Sequence, residues 1–392
     1  MTSLTIRQLL TAGLCMGCIL GFVSARNSFW TSSTAFLPSE HGHTGCSFPV
    51  PTVPSNTPST LHYADERHLT DIRQLTFGGD NAEAYFSSDS KMLTLQVANP
   101  AKNIACDQIF YAHIPTNEGE TFDLKRISTG MGRTTCSYFL PGNHAILYAS
   151  THGTDEKCPE APDWRATGKY VWVLYPSYEI YYADLTGNIT QQITHNNYYD
   201  AEATVSPNGN TVVFTSTRNG DIDLYTMDVS GGKVRQITHE LGYDGGAFFS
   251  PDSKQIIFRA SRPQTAEDIK EYKDLLAKNW VSPTRMELFV CNLDGSDMRQ
   301  ITHLGGSNWA PFFHPSGKKV LFASNHHTGG RGFPFNLFMI NLDGTGLEQI
   351  TFDKTFDSFP MFSPDGKSLV FASNRNNGGT RDTNVFIAKW VE

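Results

Sequence analysis

The sequence predicts an all-β fold, a six-bladed β-propeller whose N-terminal strand completes the last blade. Three observations lead there. A Thr-ended segment recurs, as Arg73-Gln74-Leu75-Thr76, Gln192-Ile193-Thr194, Arg235-Gln236-Ile237-Thr238, Arg299-Gln300-Ile301-Thr302 and Gln349-Ile350-Thr351, with a degenerate copy at Arg126-Ile127-Ser128. A turn follows each, best written as Ser250-Pro251-Asp252-Ser253 and Ser363-Pro364-Asp365-Gly366. Between these marks lie short β-rich runs bounded by Gly, Pro, Asn and Asp, four to a repeat. A period of this kind fixes the architecture, and six four-stranded units describe a propeller.

In chain order, residues 1–25 read as a signal peptide. Arg7 precedes an apolar run from Leu9 to Val23, and Val23-Ser24-Ala25 is a small-residue cleavage pattern. The run is short for a membrane span, so a periplasmic or secreted protein with no span after cleavage is expected. Residues 26–68, rich in Ser, Thr and Pro, read as a linker, and residues 69–392 as the propeller.

The third repeat is the cleanest: strand A at Glu202 to Val205, B at Thr211 to Ser216, C at Asp223 to Asp228, D at Val234 to Thr238. The array opens on a lone D strand, Arg73 to Thr76, and closes on A, B and C strands without a D, so the first strand is expected to complete the last blade and remove an open edge. Two repeats are long. Their extra residues, Gly153 to Tyr175 and Pro263 to Pro283, fall between strands B and C, and the spacing of Ile269, Tyr272, Leu275 and Leu276 predicts one amphipathic helix in the second.

Composition narrows the function. The 392 residues are 18% charged with a net charge of −8, which argues against a nucleic-acid groove. A monomer with a protein or peptide partner is expected. Five Cys remain after cleavage, without zinc-finger spacing, and a disulfide among Cys106, Cys136 and Cys158 is expected.

The copies Phe362 to Lys367, Phe371 to Arg375 and Asn341 to Gly346 resemble the TolB-type, WD40-like β-propeller repeat. The resemblance spans residues 73–392 and implies the fold more than an activity. TolB proteins carry an α/β domain before the propeller, for which residues 26–68 are too short. Prolyl oligopeptidases carry a hydrolase domain after it, and the chain has no Gly-x-Ser-x-Gly elbow. The chain looks like the stand-alone exported TolB-like propellers.

Both insertions lie on the face of the D–A and B–C loops, where binding is expected. Repeat alignment places Asn81, Thr134, Asp200, Asp244, Asn308 and Asp357 at the start of strand A, with Glu83 and Glu202 two residues further in. After strand B stand Asn99, His152, Arg218, Arg262, His326 and Arg375. From these sets, Asp200, Glu202, Asp244, Asn308, Asp357, His152, Arg218, Arg262, His326 and Arg375 are the candidate ligand-binding residues. The oxygens suit Ca²⁺ or another divalent cation at the channel mouth, and the bases suit a small acidic ligand. The competing reading is that Asp and Asn cap tight loops and that the two sets pair within or between blades. The expected function is binding. The alternative is a metal-dependent lyase or hydrolase on acidic oligosaccharides, to which oligogalacturonate lyases, resembling TolB-like propellers, point; its candidates are His152, His326 and Arg218 with Asp200 or Glu202.

Overall fold

The computed structural model describes residues 61–392 apart from 118, 162–167 and 331. The expected signal peptide, Cys46 and most of the linker lie outside the described residues.

Six four-stranded antiparallel sheets follow one another as blades. Each strand A packs against the A strands of both neighbouring blades, and the ring closes between Asp80–Phe86 of blade 1 and Asp357–Phe362 of blade 6. Blade 3 consists of Asp200–Val205, Thr211–Ser216, Asp223–Asp228 and Arg235–Gln236. The last blade is closed as expected: Leu69–Gln74 pairs with Asn384–Trp390, Leu69 opposite Trp390 and Gln74 opposite Phe386. That strand begins before Arg73, the first residue of the repeated segment.

The repeated residues build the frame. In every blade the Thr or Ser that ends the repeated segment accepts a backbone N–H from strand C: Thr76 from Val385, Ser128 from Ile109, Thr194 from Ile180, Thr238 from Leu224, Thr302 from Leu288 and Thr351 from Leu337, at 2.8–2.9 Å. In the five Thr-ended copies the Gln two residues earlier donates to the same Thr's carbonyl, as Gln236 does to Thr238 at 2.8 Å. A short strand D is thus fastened by side chains where its ladder ends. The Ser-Pro-Asp-Gly turn closes on itself, because Ser363 Oγ donates to Asp365 at 2.6 Å and accepts from Ser368 N at 2.9 Å.

The two insertions meet. Trp172–Val173 from blade 2 pairs with Trp280–Val281 from blade 4, Trp172 opposite Val281. The expected helix forms as Ala266–Leu276, with Thr265 Oγ1 accepting from Asp268 N at 3.1 Å. Its Tyr272 is buried and donates to Asp221 in the B–C loop of blade 3. Tyr272 and Val281 join Tyr199, Ile222 and Tyr243 in one apolar cluster, so the bridged insertions sit on blade 3. Cys106 and Cys158 form a disulfide with Cα atoms 5.9 Å apart, tying the blade 2 insertion to blade 1, while Cys136 and Cys291 are free.

Candidate functional site

The ten candidate residues do not line an open ring. Asp200, Asp244, Asn308 and Asp357 are fully buried at the first position of strand A, and each meets the cation or Ser of its own blade. Arg218 Nη2 donates to both oxygens of Asp200 at 3.0 and 2.8 Å. Arg262 Nη1 lies 2.7 Å from Asp244, and Arg375 Nη2 3.1 Å from Asp357. In blade 5, Ser324 Oγ donates to Asn308 at 2.7 Å and lies 2.8 Å from His326 Nδ1. In blade 2, His152 Nδ1 lies 2.8 Å from Ser150 Oγ. Each base also rests on an aromatic of strand C: His152 on Tyr181 at 4.2 Å, Arg218 on Tyr225 at 4.9 Å, Arg262 on Phe289 at 5.0 Å, His326 on Phe338 at 4.6 Å and Arg375 on Phe386 at 5.9 Å.

The acids of blades 3, 4 and 6 are therefore locked to the bases of their own blades. A buried carboxylate is stable only when paired, and the nearest base lies in the same blade. Burial pushes the Asp244 carboxyl up to about 7 against the opposing pull of Arg262, and burial lowers both His152 and His326. The lyase reading needs His152, His326 and Arg218 in one pocket, but they are fixed in blades 2, 5 and 3. Among the described residues no three His, Cys, Asp or Glu side chains come together to hold a metal ion.

Glu202 alone of the ten lies deeper. It belongs to a ring missed in the sequence: Glu83, Cys136, Glu202, Gly246, Ala310 and Phe359, each at the third or fourth residue of its strand A. All six have positive φ, at 51, 44, 54, 59, 48 and 52°, and the A–B register shifts at each. These are β-bulges, which re-aim a side chain. Only Gly246 carries the residue that left-handed backbone favours, so a glycine search finds one member of six.

Glu202 is saturated. It accepts from Thr215 Oγ1 at 2.8 Å, from Tyr243 OH at 2.9 and 2.8 Å, from Gly246 N at 3.0 Å and from Arg259. Arg259 fills the space that a Cβ on Gly246 would take. Glu83 differs: its Oε2 is buried without a hydrogen-bond partner among the described residues. Burial pushes its carboxyl up to about 7, opposed by the Cys136 thiol and reinforced by Glu202. The Cys136 thiol is itself raised by burial and by Glu83, which makes it a poor nucleophile.

Two residues further along strand A, aromatic rings of different blades meet. Tyr85 and Phe248, from blades 1 and 4, have ring centroids 5.4 Å apart, Tyr85 and Tyr138 5.9 Å, and Phe248 and Phe312 5.2 Å. Trp172 of the ribbon lies 5.1 Å from the Arg259 guanidinium and stacks on Trp309 at 5.6 Å. Trp309 stacks on Phe335 at 4.6 Å, and Phe333, 68% exposed, continues the row. Tyr199 and Tyr243 are buried, and Tyr198 is exposed. Among the described residues no helix is long and apolar enough to cross a membrane.

Comparison with known proteins agrees with this architecture. Solved structures similar in fold include TolB from Agrobacterium tumefaciens, 19% identical with a TM-score of 0.52, covering 80% of this chain and 91% of that one. TolB from Acinetobacter baumannii is 18% identical with a TM-score of 0.50, covering 77% of this chain; this chain spans 64% of its length. An oligogalacturonate lyase in complex with manganese is 13% identical with a TM-score of 0.48, covering 86% of this chain and 97% of that one. No curated protein matches. The family model of the TolB beta propeller domain matches residues 156–280 and 279–381, more than half of the sequence, and the chain belongs to that family.

Proposed function

We propose that this protein is an exported binding module that holds a protein or peptide on its insertion-bearing face. The observation that carries this reading is the ribbon between the insertions. It places Trp172 on Trp309, in a row that runs through Phe335 to the exposed Phe333. Aromatic residues are enriched at the energetic centre of an interface. The opposite face carries short self-closed turns. Export is supported by residues 1–25 and by the Cys106–Cys158 disulfide, a linkage that persists in oxidising compartments.

Selection of a random peptide library against the full protein tests the reading. Enriched peptides should bind the native protein and lose affinity on the order of tenfold or more to a Trp172→Ala, Phe333→Ala variant. Failure of any sequence to enrich, or equal binding to the variant, contradicts it.

A further inference from the structure

Blades 3 and 6 carry the same Ser-x-Arg device, and only in blade 6 is it filled. In both, the Arg Nε donates to the Ser at the end of strand B, Arg218 to Ser216 at 2.9 Å and Arg375 to Ser373 at 3.1 Å. In both, Nη2 takes the two oxygens of the buried Asp that starts strand A. Both guanidinium groups lie 5.0 Å from the strand B Phe, Phe214 or Phe371. They part at Nη1. Arg375 Nη1 donates to Leu61 O at 2.8 Å and to Glu66 Oε2 at 3.2 Å, while Glu66 Oε1 accepts from Nη2 at 2.8 Å. A segment of the chain folded into turns, with Glu66 N donating to Tyr63 O at 3.0 Å, thus lays a carbonyl and a carboxylate on the blade 6 arginine and leaves its side chain 1% exposed.

Arg218 Nη1 makes no hydrogen bond to a described residue, and the side chain is 22% exposed. Blade 4 is no third copy: Arg262 directly follows Ser261, and its Nε already takes Glu240 at 3.2 Å. We infer that Arg218 is a docking point for an acidic peptide turn, which sets a Glu carboxylate on the guanidinium edge as Glu66 is set on Arg375. The inference rests on the reading of this face as the binding face and specifies the chemistry of what it holds. One contact does not carry over. Tyr63 OH donates to Asp353 at 2.6 Å in blade 6, whereas the matching position in blade 3 is Asn196, whose amide is engaged with Asp200 at 2.7 Å. Recognition at Arg218 therefore depends on the carboxylate and a neighbouring carbonyl, without a phenol anchor. A guanidinium edge suits this pairing because its two N–H groups match the two carboxylate oxygens.

The probe is a dye-labelled synthetic peptide with the sequence of residues 61–68, titrated into the full protein by fluorescence anisotropy. Saturable binding is expected, weakened on the order of tenfold or more when the peptide Glu is replaced by Gln. A similar loss is expected for Arg218→Lys, which keeps a charge against Asp200 but removes the fork. If that variant fails to fold, the Glu-to-Gln peptide and chemical-shift changes at residues 216–219 of the wild type decide alone. Absence of binding at millimolar peptide overturns the inference. So does binding indifferent to the peptide Glu or to Arg218, as exchange with the chain's own segment at Arg375 would give. If either occurs while library-selected peptides still require Trp172 and Phe333, the assignment of the face stands and that of Arg218 falls.

Discussion

Glu66 and Arg375, 309 residues apart in sequence, form a buried two-bond pair at 2.8 and 3.2 Å. The contact joins the segment before the first strand to the loop after strand B of the blade which that strand completes. Glu66 and the Arg375 side chain are at most 1% exposed, so neither tolerates losing the other. Arg375→Ala strands two buried carboxylates, Glu66 and Asp357, and should cost about 3–5 kcal/mol in urea unfolding. Glu66→Ala leaves Arg375 with Asp357 and should cost less, roughly 1–3 kcal/mol. A larger loss for Glu66→Ala would show that the segment, and not the arginine, organises this edge.

The Cys106–Cys158 disulfide spans 52 residues and restrains the blade 2 insertion. Cys106→Ser with Cys158→Ser should lower stability by roughly 2–4 kcal/mol. Limited proteolysis under native conditions should then cut first within residues 153–171, ahead of any blade strand. First cuts elsewhere would mean that the ribbon to Trp280–Val281 holds the insertion without the disulfide.

Gly246 has φ +59 and lies against Arg259, which occupies the position of a Cβ. Gly246→Ala combines backbone strain with displacement of Arg259 from Glu202 and should destabilise by about 3 kcal/mol or more. Ala310→Gly, at φ +48 in the same ring, should change stability by less than about 1 kcal/mol. Thermal denaturation of the two variants makes the comparison.

The Glu83 carboxyl is raised from 4.5 to about 7 by burial. A raised acid binds its proton more tightly in the folded state. Its contribution is therefore fully present below about pH 4.5, falls as pH rises to about 7, and is constant above. Asp244, raised from 3.8 to about 7, falls through an overlapping window. Glu83→Gln should remove the first share and gain on the order of 1–2 kcal/mol over wild type between about pH 5 and pH 8. A pH-independent difference between the two proteins would mean that Glu83 is ionised throughout.

Blade count, ring closure and the helix of the second insertion were legible because turn and strand chemistry repeats at fixed spacing. The acids and bases of blades 3, 4 and 6 were legible as two aligned sets, but their role was open until distances showed each base on its own blade's acid. The bulge ring left no pattern: Glu83, Cys136, Glu202, Ala310 and Phe359 adopt left-handed backbone because the tertiary ring demands it, against their local preference. Trp172 and Trp280 sit in two-residue strands, too short for any periodicity, and lie over a hundred residues apart. The pairing of Glu66 with Arg375 is likewise set only by closure of the ring.

The most direct test of the binding face is hydrogen–deuterium exchange of the full protein with and without a saturating library-selected peptide. Slowed exchange is predicted for residues 168–176, 216–220, 279–285 and 325–335, around Trp172, Phe333 and Arg218. Slowed exchange confined to the Ser-Pro-Asp-Gly turns, such as Ser250 to Ser253 and Ser363 to Gly366, would place binding on the opposite face and contradict it.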